Sequence, residues 1–326
     1  MSKRTYSLDL ARFLSCVFVV FFHYFFLSYH LGFSEYKVDI FRYGFVGVYI
    51  FFFISGFVIW DSVSTKSIKQ FIINRIFRLY PLYWISVLIS SYLLIVIFKL
   101  DIDLITILSN LTMLQKVIGE PDLDGVYWTL FVEILFYFWV CLFFNLGVNK
   151  EKITSLFLLI VLIDKFIIIN ETIRVIFIIE YLPFFAAGII ATDIFKKIRI
   201  FDGLKFLLFM ILGSNVIFEK THKMIILYDV GFDITITIAV YIISICLMYI
   251  LKGMNNQSYT KKVLFLSALT YPIYLFHQNI GYLLFNEFKV NSKIEFLFFG
   301  LFIFTCIFIF SKLINSIERV ALNVLR

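Results

Sequence analysis

Long apolar runs follow one another along almost the whole of this 326-residue chain, and they constrain its fold more than any other feature. A helix of about 20 apolar residues is long enough to cross the hydrocarbon core of a bilayer. The chain is 62% hydrophobic and has a mean hydropathy of +0.96, which lies outside the usual range of soluble domains. The sequence therefore predicts an all-α, polytopic integral membrane protein.

Polar breaks divide the chain into about ten predicted spans. A span and its loop take roughly 30 residues, so ten spans use nearly all of the chain, and residues 1–326 are predicted to form a single transmembrane domain. The segment 104–118 is too short and too polar to span, and it is predicted to be interfacial or re-entrant. The predicted spans are 8–30, 44–61, 79–98, 126–146, 153–170, 174–195, 205–219, 232–251, 263–287 and 294–318.

Basic residues are unevenly distributed between alternate loops. The termini and the even-numbered loops hold 18 Lys and Arg, whereas the odd-numbered loops hold 10. Because Lys and Arg are enriched on the cytoplasmic side, both termini are predicted to be cytoplasmic in a multi-pass protein of the inner (plasma) membrane. The net charge of +7 reflects this topology, and no nucleic-acid partner is predicted.

The four cysteines lie inside apolar runs and show no paired spacing. This pattern indicates neither a disulfide framework nor a zinc site. The sequence predicts no metal ion in the protein.

The first predicted span carries Arg12 and His23 inside an apolar helix. An ionisable residue at membrane depth is costly and is therefore a functional candidate. Eleven helical residues turn through roughly 1100° and advance roughly 16 Å, so the two side chains are predicted to share one face, about half a membrane apart. The structural alternatives are an interfacial anchor for Arg12 and a hydrogen bond between helices for His23.

The second span carries Ser55 and Gly56 near the midplane of the membrane, and the cytoplasmic segment before the third span carries Arg75 and Arg78. Ser55 and Gly56 favour close helix packing, with a close backbone approach to a ligand as the alternative. Arg75 and Arg78 are three residues apart and lie on one side of a helical turn, before Pro81, which is predicted to begin the third span. Guanidinium groups bind phosphates through a planar fork of donors, although they also serve as topology anchors.

Three later spans carry polar residues that are predicted to lie in the outer half of the membrane. Glu133 is predicted at the depth of His23, where a carboxylate can orient an imidazole. Trp128 suits the outer interfacial belt, and His277 is also placed in the outer half. Glu180 precedes Pro183, and it is equally suited to lining a cavity and to binding substrate.

Together these residues resemble the membrane acyltransferase family 3, whose polysaccharide O-acetyltransferases act at bacterial envelopes. The matching features are Arg12 with His23, FFISGF with Ser55 and Gly56, the pair Arg75 and Arg78 with Pro81, WTLFVE with Trp128 and Glu133, and YPIYLFH ending in His277. One position differs, because Tyr49 stands in the glycine-valine stretch where many members carry an acidic residue.

The resemblance implies an acyltransferase that takes an acetyl group from cytoplasmic acetyl-CoA. The acceptor would be a hydroxyl of an extracytoplasmic carbohydrate, such as a surface polysaccharide or its lipid-linked precursor. Arg12, Arg75 and Arg78 are expected to hold the donor, with Ser55 and Gly56 beside it.

The resemblance also implies roles at the outer end. His23 is expected to be the general base, with Glu133 orienting it, and a covalent acetyl-imidazole is the alternative mechanism. Trp128, Glu180 and His277 are expected to contact the acceptor. A transporter or flippase of a glycan or lipid-linked intermediate is the alternative function, although the sequence shows no internal symmetry and only one clear helix break, near Pro183.

Overall fold

The computed structural model describes residues 6–167, 169–197, 199–253 and 257–324, which form helices joined by loops. This part of the chain contains no strand, which confirms the all-α prediction. The helices are α1 (Tyr6–His30), α2 (Asp39–Thr65), α3 (Ile68–Ile97), α4 (Leu104–Asn110), α5 (Tyr127–Asn145), α6 (Lys150–Phe166), α7 (Glu171–Ile176), α8 (Leu182–Ile194), α9 (Ile200–Tyr228), α10 (Ile234–Ile250), α11 (Gln257–Glu287) and α12 (Lys293–Val324).

Six of these helices, among the described residues, are long and apolar enough to cross a membrane. They are α1, α2, α3, α5, α9 and the part of α12 that ends at Ser316. Helices α6, α8 and α10 have 17, 13 and 17 residues, fewer than the ~20 that an upright crossing takes. The chain is therefore an all-α, multi-pass membrane protein, and the count of ten spans stays a prediction.

The predicted span 174–195 is divided between α7 and α8. The backbone of Ile178 adopts a left-handed conformation with φ of 48°, which ends the helical path. Pro183 then lies in the first turn of α8, where the missing N–H of proline costs no hydrogen bond. The predicted helix break near Pro183 is therefore observed within this predicted span.

Helix α3 begins earlier than predicted. The Ser67 side chain accepts a hydrogen bond from the backbone N–H of Gln70, and this cap starts the helix at Ile68. Pro81 lies inside the helix and does not begin it. Arg75 and Arg78 therefore project from the same regular helix.

Helices α2 and α8 pack with their backbones in contact. A Cβ atom at Gly56 would overlap the carbonyl oxygen of Phe185, and one at Gly188 would overlap that of Phe53. Small residues permit such an approach between membrane helices. The two helices consequently form one tightly joined pair.

Helix α1 lies between α2 and α11 and connects the two ends of the bundle. It is α-helical from Tyr6 to Phe22 and becomes a π-helix over His23–Leu27. Single π turns inside α-helices are frequent at functional sites. The buried Tyr24 of this turn donates its hydroxyl to the carbonyl oxygen of His277 at 2.9 Å, which joins α1 to α11.

The segment between α3 and α5 folds back onto the bundle. Its helix α4 has only seven residues, which agrees with the prediction that this segment does not span. Trp84 of α3 donates to the carbonyl oxygen of Leu111 at 3.0 Å. The segment ends at the buried Asp124, which accepts from the backbone N–H groups of Val126 and Asn279 and so ties the start of α5 to α11.

Candidate active site

A cavity of about 1610 Å³ lies where α1, α3 and α11 begin and α2 and α8 end. We call it the arginine cavity, after Arg12, Arg75 and Arg78 in its wall. Seven cationic and three anionic side chains line it, so its field attracts anions. These side chains are Arg12, Lys66, Arg75, Arg78, Lys196, Lys252, Lys261, Asp9, Asp61 and Glu133.

The three arginines hold donors that no described residue uses. None of them makes a hydrogen bond or an ion pair with another described residue, and the Nε of Arg75 is buried without a partner. The Arg75 guanidinium lies over the rings of Phe71 and Tyr137, at 5.2 and 5.5 Å. A buried donor without a partner is uncommon in folded proteins, and the Arg75 side chain lines a cavity that an anionic ligand can fill.

Glu133 lies in the wall of the arginine cavity, at the centre of a hydrogen-bonded group. Its Oε1 accepts the hydroxyl of Ser55 at 2.8 Å and the hydroxyl of Tyr137. Tyr137 follows Glu133 by four residues, so both project from one face of α5. Arg75 lies over the ring of the same Tyr137, so this tyrosine contacts both the Glu133 carboxylate and the Arg75 guanidinium.

A second cavity, of about 330 Å³, lies at the other end of α1. We call it the histidine cavity, after His23 in its wall. None of its described lining residues carries a carboxylate. Its polar and aromatic lining residues are Phe22, His23, Phe45, Tyr49, Trp128, Lys220, Lys223, Tyr228, Tyr274 and Gln278.

His23 and His277 form a hydrogen-bonded pair whose tautomers are fixed by backbone carbonyls. Nδ1 of His23 lies 2.8 Å from the carbonyl oxygen of Val19, and Nδ1 of His277 lies 2.8 Å from that of Tyr274. A carbonyl oxygen only accepts, so each Nδ1 carries the proton. Nε2 of His277 is then an acceptor, and it lies 3.1 Å from Nδ1 of His23.

In this tautomer Nε2 of His23 is unprotonated, and its lone pair can accept a proton. Nε2 makes no hydrogen bond to the described residues, and the half-buried His23 lines the histidine cavity. His277 is completely buried behind it and lines neither cavity. The pair can therefore accept a proton at one defined atom, and the Nδ1–H of the resulting imidazolium would still be shared by two acceptors.

The two cavities share part of one wall. Val48 of α2 and Tyr274 of α11 line both of them. The Tyr274 hydroxyl is hydrogen-bonded to the Thr129 hydroxyl at 3.0 Å, and both residues are buried. Among the described residues, Val48 and Tyr274 are the lining that the cavities have in common.

Asp124 holds the polar part of α11 against the start of α5. Besides the two backbone bonds to Asp124, Asn279 donates its side-chain amide to the carbonyl oxygen of Leu123 at 2.9 Å. Burial raises the pKa of the Asp124 carboxyl to about 7, with Asp122 adding to the effect and the hydrogen bonds opposing it. Because His277 and Gln278 directly precede Asn279 on α11, these bonds fix their position relative to Trp128 on α5.

The structure brings most of the predicted site residues together in two groups. Arg12, Ser55, Arg75, Arg78 and Glu133 line the arginine cavity. His23 and Trp128 line the histidine cavity.

Glu133 does not contact His23, contrary to the prediction that it orients the imidazole. Counting residues from the helix ends placed both at one depth, but depth does not determine which way a side chain points. Glu133 points to the arginine cavity, and His277 holds the position beside His23. His277 was predicted to contact substrate, but its complete burial makes it a partner of His23.

Two other predicted residues line neither cavity. Gly56 packs against the backbone of α8 and does not face a ligand. Glu180 pairs with Lys220 at 2.8 Å, and it is Lys220 that lines the histidine cavity.

Three site residues were not identified from the sequence. Tyr137 could have been found, because it follows Glu133 by one helical turn. Gln278 lines the histidine cavity, and its buried Oε1 has no hydrogen-bond partner among the described residues. Tyr274 gave no signal, because an aromatic residue in an apolar helix is ordinarily a packing residue.

Comparisons with known proteins point to one family. A family model described as an acyltransferase domain matches residues 5–313. The "Exopolysaccharide production protein ExoZ" of Rhizobium meliloti (strain 1021) is 27% identical over 172 residues, which are 49% of this chain and 54% of that protein. The match thus spans about half the length of this relative. No solved structure matches the chain.

Proposed function

This chain belongs to the acyltransferase family whose model it matches, and from that premise we propose that it is a membrane O-acetyltransferase. The donor is acetyl-CoA, which binds in the arginine cavity. The acceptor is a carbohydrate hydroxyl, which enters the histidine cavity. The acetyl group passes from one cavity to the other across their shared wall.

The charge and size of the arginine cavity support a CoA thioester as the donor. CoA carries phosphates at one end, and Arg12, Arg75 and Arg78 supply guanidinium donors in a cavity whose lining holds seven cationic and three anionic side chains. An extended pantetheine arm reaches roughly 15 to 20 Å, by comparison with extended peptide chain. The helix from Arg12 to His23 rises roughly 16 Å. A donor held by its phosphates therefore presents its thioester near the shared wall.

The free Nε2 of His23 is the observation that carries the proposal. The acceptor hydroxyl gives its proton to this nitrogen as its oxygen attacks the thioester carbonyl carbon, and a new C–O bond forms. The C–S bond then breaks, and the departing thiolate receives the proton from His23. The products are the O-acetyl ester and the free thiol of CoA, and His23 is neutral again.

The imidazolium formed in this step keeps its hydrogen-bond partners. Its Nδ1–H remains shared between the carbonyl oxygen of Val19 and Nε2 of His277. Hydrogen bonds to a charged donor are about twice as strong as those between neutral groups. His277 is therefore a positioning residue that favours the protonated form of His23 during the reaction.

The histidine cavity suits one sugar unit. Its volume of about 330 Å³ lies at the small end of the range for small-molecule sites, roughly 300 to 1,000 Å³. Trp128 provides an aromatic face, and the unpartnered Oε1 of Gln278 can accept a sugar hydroxyl. A carbohydrate acceptor also agrees with the printed name of the relative, which refers to exopolysaccharide production.

The orientation follows from the distribution of Lys and Arg. The arginine cavity lies at the end of α1 that carries the N-terminus, which the basic loops assign to the cytoplasm. The histidine cavity then faces the outside of the inner membrane. The donor and the acceptor thus approach from opposite sides.

Acetyl transfer can be measured in proteoliposomes. Labelled acetyl-CoA is supplied at the face of the arginine cavity, and a panel of p-nitrophenyl glycosides at the other face. We expect the wild type to form O-acetyl glycosides and His23→Ala to lose at least about a hundredfold in rate, because general acid–base catalysis contributes roughly 10² to 10⁴. His222→Ala, the same change at an exposed position of α9, is the control and should keep the wild-type rate.

Equal acetylation by the wild type and His23→Ala would overturn the assignment of the base. Movement of glycoside across the membrane without acetylation would indicate a transporter. A stoichiometric burst of CoA without acceptor would indicate an acetyl-imidazole in place of general-base catalysis.

A further inference from the structure

We propose that Val48 and Tyr274, the side chains shared by the two cavities, select the acyl group by its size. This inference rests on the proposed function, since it concerns the point at which the acyl group leaves the donor. It assigns these two residues a role in specificity that is separate from phosphate binding and from proton transfer.

The proposed chemistry places the carbonyl carbon of the acyl group at the wall shared by the two cavities. The sulfur and the pantetheine arm occupy the arginine cavity, and the attacking hydroxyl lies beside Nε2 of His23 in the histidine cavity. The carbonyl carbon is bonded to both the attacking oxygen and the sulfur before the C–S bond breaks, so it must lie between the two cavities. Among the described residues, only Val48 and Tyr274 line both.

The substituent on the carbonyl carbon therefore lies against these two side chains. An acetyl group adds only a methyl group at this point, whereas a longer chain must extend past Val48 or Tyr274. The arginine cavity as a whole, at about 1610 Å³, is too large to distinguish acyl chains by their length. Discrimination by size must occur at the wall.

Both side chains are held in place. Val48 is buried in the first turn of the α-helical part of α2, and branching at its Cβ restricts its rotation. The Tyr274 hydroxyl is bonded to Thr129, and its carbonyl oxygen accepts from Nδ1 of His277. Because Tyr274 is bonded to His277, we expect its distance from the histidine pair to stay constant while His23 accepts the proton.

Acyl selectivity tests this assignment. The wild type and the variants are assayed in proteoliposomes with acetyl-, butyryl- and hexanoyl-CoA and the p-nitrophenyl glycosides. We expect Val48→Ala to raise the butyryl-to-acetyl ratio of kcat/KM about tenfold, because methylene-sized differences in a fitted apolar pocket discriminate by at least that much. Tyr274→Phe keeps the ring but loses the bond to Thr129, and should raise the ratio about threefold. Val48→Phe should lower acetyl transfer at least about tenfold, with the KM for acetyl-CoA unchanged.

Val58→Ala is the matched control, because Val58 is on the same helix and lines the arginine cavity alone. Its butyryl-to-acetyl ratio should equal that of the wild type. Equal ratios for Val48→Ala and Val58→Ala, in chains that elute as the wild type does in detergent, would overturn the inference and leave the proposed function intact. A wild type that transfers no acyl group from any of the three thioesters would overturn the proposed function, and the inference with it.

Discussion

The arginine and histidine cavities differ in how their polar groups are held. The arginine cavity is about 1610 Å³, and its guanidinium groups have no hydrogen-bond partners among the described residues. The histidine cavity is about 330 Å³, and both nitrogens that set the tautomers of its histidine pair are fixed by carbonyl oxygens. In the proposed function, the arginine cavity would recognise its ligand by charge, with adaptable geometry, whereas the histidine cavity would supply one nitrogen atom in a fixed position.

Removing the acceptor behind His23 should have the largest effect. His277→Leu cannot accept from Nδ1 of His23, and we expect kcat to fall about a hundredfold, within the contribution of roughly 10² to 10⁴ made by a positioned base. The KM for acetyl-CoA should stay unchanged, because the arginine cavity is intact. His277→Gln carries an acceptor oxygen and should recover part of kcat. A rise in the KM for acetyl-CoA with constant kcat would contradict this prediction, because it would show that a change beside His23 affects the arginine cavity.

Removing a guanidinium group should act at the donor end alone. Arg75→Ala should raise the KM for acetyl-CoA about tenfold, since charge-assisted hydrogen bonds are worth roughly 1.5 to 3 kcal/mol. Arg75→Lys keeps the positive charge but loses the planar fork of donors, so its KM for acetyl-CoA should lie between those of the wild type and Arg75→Ala. Lys69→Ala, at an exposed position of the same helix outside the cavity wall, is the control. A fall in kcat at saturating acetyl-CoA would contradict the prediction.

A substitution of Glu133 distinguishes two interpretations of the site. In one, Glu133 only accepts hydrogen bonds in the arginine cavity; in the other, it orients His23. Glu133→Gln keeps an oxygen that accepts from Ser55 and Tyr137, so we expect kcat within about fivefold of the wild type, since neutral hydrogen bonds contribute only about 0.5 to 1.5 kcal/mol. If Glu133 instead oriented His23, kcat would fall as far as in His277→Leu. Steady-state kinetics of the two variants, measured side by side, decide between these results.

Asp124 should affect stability more than activity. Its carboxyl keeps a proton up to a pKa of about 7 in the folded chain, compared with 3.8 ordinarily. Between these values the folded chain binds more protons than the unfolded chain, so the free energy of unfolding falls as pH rises, by at most about 1.4 kcal/mol per pH unit. The apparent Tm in detergent should therefore fall between pH 5 and pH 7, and Asp124→Asn should flatten that slope. Identical slopes would contradict the raised pKa.

The donor end was predictable because its signals are local. Arg75 and Arg78 share one helical turn, and the apolar runs fix which ends of the helices meet. The charge bias of the loops predicted that they lie at the same end of the bundle as Arg12, and the family resemblance implied that the three hold one ligand. Tyr137 belongs to the same local class, since its spacing from Glu133 is visible in the sequence.

The pairing at the acceptor end was not predictable in the same way. His23 and His277 are separated by 254 positions, and their contact depends on the packing of α1 against α11. The sequence gives the depth of Glu133 but not the direction in which its side chain points. Gly56 was ambiguous for a related reason, because packing against a backbone and approach to a ligand both require a small residue.

The wall that separates the two cavities has a further consequence for the membrane itself. A protein with a water-filled cavity on each side of a bilayer leaves only a thin layer of side chains to keep ions from crossing. In this chain that layer includes Val48 and Tyr274, and an elementary charge that crosses a potential of 100 mV changes in energy by about 2.3 kcal/mol. The side chains that we propose to limit the size of the acyl group would therefore also insulate the membrane, and a substitution that admits longer chains would thin the barrier against ion leakage.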